Sequence, residues 1–499
     1  MNSNKQIKLG IIISYLSIGI NIISGLIYTP WMISSIGKEN YGLYTLAYSV
    51  IAFFMFDFGL SGAITRFVAK YLAEGSQKKA NNCLGLVYKL YFYIDVVFFL
   101  LLASVFFFIP DIYKELTVEE IEKFKVVYAM AAIYSIISFP FIPVNGILTA
   151  TENFVQLKLC DVGHKILTVV TMAICLLLGY GLYALVLVNI FSGIVTIIAK
   201  LWVIKHYTKI TVNLEYENKQ EFREIISFSG WSTIISLAQR FVFSIVPTLL
   251  GIFSGSASIA VFGIANVLEG YTYTFSNAVG GMFLPKISRI YAEGKNDILP
   301  LMIKVGRIQY MVVAAVILGF ICLGKDFIKL WVGDTFSESY LCTVLIILPS
   351  FFSSPQQIAG EALLAKNKVK KQSIIYLSTA IVNIVLACLF IYWWGALGAC
   401  IAICVTYFIR WALTNLLYVK ELNINVKRFY NESLLKMLPA FLITLIVGVI
   451  LNFIITNVSY LFFILKMFVF FLVYIIGIVL LMNKYEKEII IQPFFNLLK

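Results

Sequence analysis

Charge is what this chain is short of. Only 13% of its 499 residues are charged, while 61% are hydrophobic; soluble domains hold about 25% charged residues. That shortage excludes a soluble fold, which needs a polar shell around its core. Histidine is nearly absent, with 2 residues, so a His-rich metal site is excluded. The 8 cysteines include no C-x-x-C pair and read mainly as packing residues. Cys322 and Cys342 flank one loop, and a disulfide between them is an open alternative in an oxidising compartment. No P-loop is present, so ATP hydrolysis is not intrinsic. No connection is long enough for a soluble catalytic domain, so we expect no enzyme, no catalytic residues and no bound cofactor.

Apolar stretches of membrane-spanning length are abundant. About 20 apolar residues cross a bilayer, and fourteen segments qualify: 9–34, 44–66, 83–108, 125–148, 159–179, 182–203, 225–251, 258–284, 303–323, 340–363, 373–393, 396–418, 436–456 and 460–482. Alternating ten-residue segments, the mark of a β-barrel, are missing. The expected fold is an all-α polytopic membrane protein. The N-terminal apolar run continues past Met32 without a small-residue cleavage site and reads as an uncleaved span.

The net charge of +13 is explained by topology rather than nucleic acid. Of the 39 Lys and Arg, 29 lie on or beside the loops of one side, 6 on the other, and Lys89, Arg240, Arg410 and Lys466 within spans. Such an excess marks the cytoplasmic side, so both termini are expected there, in the bacterial cytoplasmic (inner) membrane.

The two halves repeat. YTPWMISSIG ends the first span with Pro30, and SIVPTLLGIFSG lies in the seventh with Pro247, an offset of 217. Tyr71-Leu-Ala-Glu-Gly75 answers Tyr291-Ala-Glu-Gly294 at 219 for Glu and Gly. GYGLYAL (179–185) answers WWGALGA (393–399), and Asn153-Phe-Val155 answers Asn367-Lys-Val369, both at 214. The unit is six helices, giving a bundle over 1–203, a linker over 204–224, a second bundle over 225–418, and two further spans with a tail over 419–499. Two like bundles around a cleft suit alternating access, and one chain supplies both, so a monomer suffices.

Charge inside a span is costly, roughly 2.5 kcal/mol or more. Asp57, Arg240 and Glu269 lie on spans 2, 7 and 8, about 15–20 Å from the outer ends at 1.5 Å per residue. Arg240 suits a phosphate or acidic sugar; Asp57 and Glu269 suit sugar hydroxyls or a coupling ion, H⁺ or Na⁺. Arg240 and Glu269 equally suit a mutual salt bridge, and Asp57 a packing partner such as Lys89 or Arg66. Gln239, Tyr271, Tyr273 and Asn277 complete a candidate sugar-binding set, since aromatic faces and amides fit sugar rings. Arg410 on span 12 is expected to reach the inner interface, and His164 to be a packing residue. Pro140 and Pro143, and Pro349 and Pro355, are expected to kink spans 4 and 10.

The arrangement of fourteen spans as 6 + 6 + 2 resembles the multidrug/oligosaccharidyl-lipid/polysaccharide exporter superfamily. Ile36-Gly-Lys-Glu-Asn-Tyr-Gly-Leu-Tyr44, followed by Asp57-Phe-Gly-Leu60 and Ile64-Thr-Arg66, is similar to its polysaccharide transporter branch, the Wzx-type flippases. The resemblance implies flipping of a polyprenyl-diphosphate-linked oligosaccharide to the outer leaflet, for a surface glycan such as O-antigen or capsule. It also implies glycosyltransferases and a glycan polymerase as partners. An ion-coupled drug exporter and a lipid II flippase are the alternatives.

Overall fold

A computed structural model describes residues 3–54, 57–280, 287, 290–291, 297–366 and 368–490, with side chains left out of account at 3–17, 53–54, 227–229, 231–232, 277–280 and 488–490. Among these residues the chain is all-α, without strands. Each of the fourteen apolar segments is largely helical over its described residues. Nine of the resulting segments are long and apolar enough to cross a membrane, ten when the bent pair Val426–Leu435 and Leu438–Ile454 is taken as one. Large apolar side chains stand exposed on their outer faces, Phe107 at 74% and Leu461 at 75%, as hydrocarbon-facing surfaces should.

Packing divides the chain into two compact units, residues 1–263 with 391–396, and 264–390 with 397–499. The first contains α1 (Ser3–Ile36), α2 (Lys38–Phe54), α3 (Leu60–Ala73), α4 (Gln77–Ile112), α5 (Val118–Ser138), α6 (Pro143–Ala150), α7 (Phe154–Leu177), α8 (Leu182–Tyr207), α9 (Lys219–Phe253) and the start of α10 (Ser256–Gly280). Helix α1 packs along α7, α2 along α5 and α9, and α3 along α4 and α6. The repeat-based division assigns α9 to the second bundle; by contact it sits on α2.

Helix starts follow local chemistry. Thr117 and Glu120 form a reciprocal capping box at α5, satisfying donors that a helix start leaves free. The Asn218 carboxamide accepts the N–H groups of Gln220 and Glu221 at α9.

Span 2 departs from the expected continuous helix. It is interrupted at 57–59, ahead of the helix that starts at Leu60. Phe58 (φ +35°) and Gly59 (φ +66°) turn through left-handed backbone, which glycine adopts without a Cβ penalty. Asp57 then caps the new helix, its Oδ1 accepting the Ser61 N–H at 3.0 Å.

The second unit holds the rest of α10, α11 (Leu299–Val332), α12 (Glu338–Ile347), α13 (Gln357–Ala365), most of α14 (Val369–Leu422), α15 (Val426–Tyr430), α16 (Leu438–Ile454), α17 (Tyr460–Leu481) and α18 (Lys484–Ile490). Straight, the 54 residues of α14 would reach about 80 Å at 1.5 Å per residue, far more than a bilayer. Gly395 (φ +52°, ψ −128°) interrupts it, and the legs return antiparallel: Arg410 Nε donates to Thr379 Oγ1 at 3.0 Å. Spans 11 and 12 are therefore one helical hairpin with almost no loop.

The proline-bearing spans 4 and 10 are interrupted near their prolines. Each contains a 3₁₀ turn, Phe139–Phe141 in one and Ser354–Gln356 in the other.

The last two spans are fastened to α11 at both ends. Lys466 Nζ, 3% exposed, donates to Asp326 Oδ2 at 2.6 Å and Asn452 Oδ1 at 3.0 Å. At the other end Arg307 is ion-paired with Glu486 and donates to the Glu432 and Leu481 carbonyls. Charges buried in this way need partners.

Cys322 and Cys342 are not joined: all eight cysteines are free. The Cys322 sulfur lies where a Cβ on Gly448 would meet it, and Cys342 is buried beside Cys400. Packing directs the two sulfurs to different neighbours.

Candidate functional site

The first polar cluster grows out of the break in span 2. A helix end leaves carbonyls without intrahelical donors, and inside an apolar slab those carbonyls need donors from elsewhere. Arg240 of α9 donates to this segment: its Nη1 reaches the Ala52 carbonyl at 2.8 Å. Across the break, Asp57 Oδ1 also accepts the Tyr91 hydroxyl at 2.7 Å. Tyr91 is fully buried against Phe139. Thr233 of α9 donates its hydroxyl to the Phe58 carbonyl. Arg240 and Asp57 lie within electrostatic range of one another.

Thus Asp57 and Arg240 fall in one cluster. Of the expected packing partners of Asp57, Lys89 needs correction. Lys89 pairs instead with Glu217 at 3.2 Å, and the Arg66 guanidinium lies over the Phe67 ring. Tyr91 is the actual partner, because α4 brings it beneath the break. Gln239 is half-buried on α9 next to Arg240. His164 is a packing residue: its Nδ1 lies 2.9 Å from Thr196 Oγ1.

A second cluster lies in the other unit. Glu269 and Tyr273 of α10 are within electrostatic range of Tyr407, as are Tyr376 and Arg410. Arg410 does not extend to an interface as the sequence implied. It is 5% exposed, and its guanidinium sits 4.5 Å from the Tyr376 ring centre and 4.6 Å from that of Tyr407. Two aromatic faces and the Thr379 hydroxyl hold the charge that water would otherwise solvate. Tyr271 is half-buried and Tyr273 exposed. The Asn277 side chain lies outside the described residues. Glu269 belongs to a different unit from Arg240.

The second unit also holds three hydrogen-bonded pairs of polar side chains. Gln309 Nε2 donates to Gln357 Oε1 at 3.0 Å, Gln356 Nε2 to Asn415 Oδ1 at 2.6 Å, and Trp411 Nε1 to the Tyr430 hydroxyl at 2.7 Å. The sequence reading missed these residues. Their signal was Trp411 and Asn415, four residues apart on one face of span 12.

A model of the family described as polysaccharide biosynthesis protein matches residues 7–291. A probable low-salt glycan biosynthesis flippase of Haloferax volcanii, Agl15, is 21% identical over 240 residues, 48% of this chain and 50% of that protein. The match thus spans half of the relative's length. Among solved structures, the lipid II flippase MurJ in an inward closed conformation superposes with a TM-score of 0.72 at 15% identity, covering 94% of this chain and 97% of that one. An inward-facing multidrug resistance MATE family transporter of the MOP superfamily gives 0.68 at 15% identity, covering 85% and 98%. These likenesses establish the fold. The relatives are flippases and transporters rather than enzymes.

Proposed function

We propose, from the premise that the chain belongs to the polysaccharide biosynthesis protein family, that it is a flippase for a polyprenyl-diphosphate-linked oligosaccharide. It carries the glycan from the cytoplasmic to the outer leaflet of the bacterial inner membrane by alternating access, with both termini cytoplasmic. The observation that carries this reading is the polar break at Asp57, held open between Arg240 and Tyr91. Interrupted helices at mid-membrane are a recurrent way to present polar groups to a substrate. A sugar needs such groups, and the amides of the second unit offer more of them.

In this mechanism Arg240 meets the anionic part of the substrate, and Asp57, Gln239, Glu269, Tyr271, Tyr273 and Asn277 meet hydroxyls. Asp57 and Glu269 are the candidate exchangers of a coupling H⁺ or Na⁺. The glycan is supplied by glycosyltransferases and consumed by a polymerase. Lipid II transport and drug export are the competing readings, favoured by the folds of MurJ and the MATE transporters.

The test is translocation of a labelled lipid-linked oligosaccharide across proteoliposomes holding the purified chain, under imposed H⁺ or Na⁺ gradients. Glycan on the far leaflet is the expected result. If the host's own glycan lipid moves under no gradient while a drug does, the exporter reading replaces this one.

A further inference from the structure

Away from both clusters, the second unit contains a cavity of about 450 Å³ at the end of its helices. Its wall includes Lys366, Lys368, Asp297, Glu421 and Asn423. In the orientation proposed above, this is the cytoplasmic surface. Its volume falls within the roughly 300–1,000 Å³ of small-ligand sites.

The lysines are held rather than free. Lys366 Nζ lies 4.5 Å from the centre of the Tyr291 ring. Lys368 Nζ is 2.7 Å from Glu421 Oε2, and Lys371 is ion-paired with the other oxygen. Glu421 is 9% exposed against 43% for Lys368 and 58% for Lys371. The carboxylate thus serves as a largely covered post on which two exposed ammonium groups are mounted. Asp297 is itself occupied, accepting the Leu299 N–H at 3.0 Å. Each ammonium has three N–H donors, so donors remain after these contacts.

The internal repeat shows that the lysines are particular to the second copy. In the first unit, Thr151 N–H donates to the Ile147 carbonyl and Asn153 N–H to that of Leu148; helix α7 then starts at Phe154. In the second, Lys366 N–H donates to Ala362 and Lys368 N–H to Leu363; helix α14 starts at Val369. The same turn recurs at an offset of 215, one residue from the sequence match of Asn153 with Asn367, which lies outside the described residues. At this offset Lys366, Lys368, Lys370 and Lys371 answer Thr151, Asn153, Val155 and Gln156. The first copy makes the same turn with no lysine at these positions, Glu152 being its one charged residue over 151–156. The second copy thus places four lysines where the first has none, and lysine is a point-charge ligand for phosphate.

We propose that this cavity docks phosphate oxyanions at the membrane surface, specifically the diphosphate of the lipid-linked substrate before it moves inward. The source of the diphosphate rests on the flippase reading; the phosphate chemistry rests on the lysines.

The test uses the full chain in neutral-lipid nanodiscs, titrated with inorganic pyrophosphate and with farnesyl diphosphate. Saturable binding of both is expected, weakened about tenfold or more in Lys366→Gln/Lys368→Gln, as loss of charge-assisted contacts implies. A single cooperative thermal transition shows the variant is folded. No binding by the unaltered chain, or equal binding by the variant, overturns the proposal. Displacement by phosphatidylglycerol with no pyrophosphate binding makes it a lipid-headgroup site and overturns the substrate assignment. If the variant loses binding while glycan translocation is unchanged, docking fails and the flippase reading stands. If the unaltered chain binds pyrophosphate but translocates no glycan lipid, the flippase reading fails and the phosphate site stands.

Discussion

Asp57 and Arg240 flank one break in one membrane span, each at the helix end its charge favours. Arg240 donates to the Ala52 carbonyl in the last turn of α2. Asp57 accepts the Ser61 N–H in the first turn of α3. A cation at a C-terminus and an anion at an N-terminus both complement the helix dipole. The two residues therefore stabilise the opening as well as lining it.

Arg240→Ala is expected to lower transport while the chain is still expressed and inserted. Its lost charged hydrogen bond should cost about 1.5–3 kcal/mol. Flux in proteoliposomes, normalised to reconstituted protein, checks this; unchanged flux assigns Arg240 to neutralisation alone. Restoration of flux by adding Glu269→Gln would show that the two residues chiefly compensate each other.

Tyr91→Phe removes only the hydroxyl that reaches Asp57. We expect a loss of about 1–3 kcal/mol, the range for leaving a buried acceptor short of a donor. Thermal unfolding in detergent measures it. A stability equal to that of the unaltered chain would mean water replaces the hydroxyl.

Arg307 and Glu486 should behave as a coupled pair. Either Arg307→Met or Glu486→Gln alone leaves a buried group without its partner, at about 3–5 kcal/mol. The double variant should lose less than the sum of the two. A double-mutant cycle on unfolding free energy reads the coupling, and additive losses would show there is none.

Gly395→Ala tests the hairpin turn. Alanine is strained at φ +52°, and its Cβ would lie 2.9 Å from Ser254 Oγ. A cost of about 1–3 kcal/mol is expected, seen as a lower unfolding temperature. Gly398→Ala, in the helical leg beyond, serves as the comparison.

Glu421 gives a pH prediction. Hydrogen bonds from Lys368 and Lys371 hold its carboxyl down at about 2. A group with a depressed folded-state value stabilises the fold above the ordinary carboxylate range and loses that contribution as pH falls through the depressed value. The difference in thermal midpoint between the chain and Glu421→Gln should be constant above about pH 5 and shrink towards pH 2. A difference independent of pH would show that these contacts do not depend on charge.

The helices were legible because each apolar run must satisfy its own backbone within lipid. The break in span 2 was not, since Asp57-Phe-Gly59 lies inside a run whose hydropathy stays high. Only backbone geometry shows that Gly59 turns there. Asp57 and Arg240 were found from the cost of charge, yet Tyr91 was hidden among 29 tyrosines. Arg410 was misplaced because a long side chain near a span end ordinarily extends to water; the cage of Tyr376 and Tyr407 depends on the hairpin bringing the legs together. The lysine wall was visible as four charges, but its cavity required Glu421 from 50 residues further along.

The fastening of the last two spans has a consequence for chain length. Asp326 and Arg307, near opposite ends of α11, find their ionic partners in Lys466 and Glu486. A chain stopped after Leu422 would keep both first partners and lose both second ones, presenting opposite bare charges at two depths of the bilayer. Truncation to twelve spans is therefore opposed by electrostatics before packing is considered, and rescue of such a shortened protein would begin with neutral residues at positions 307 and 326.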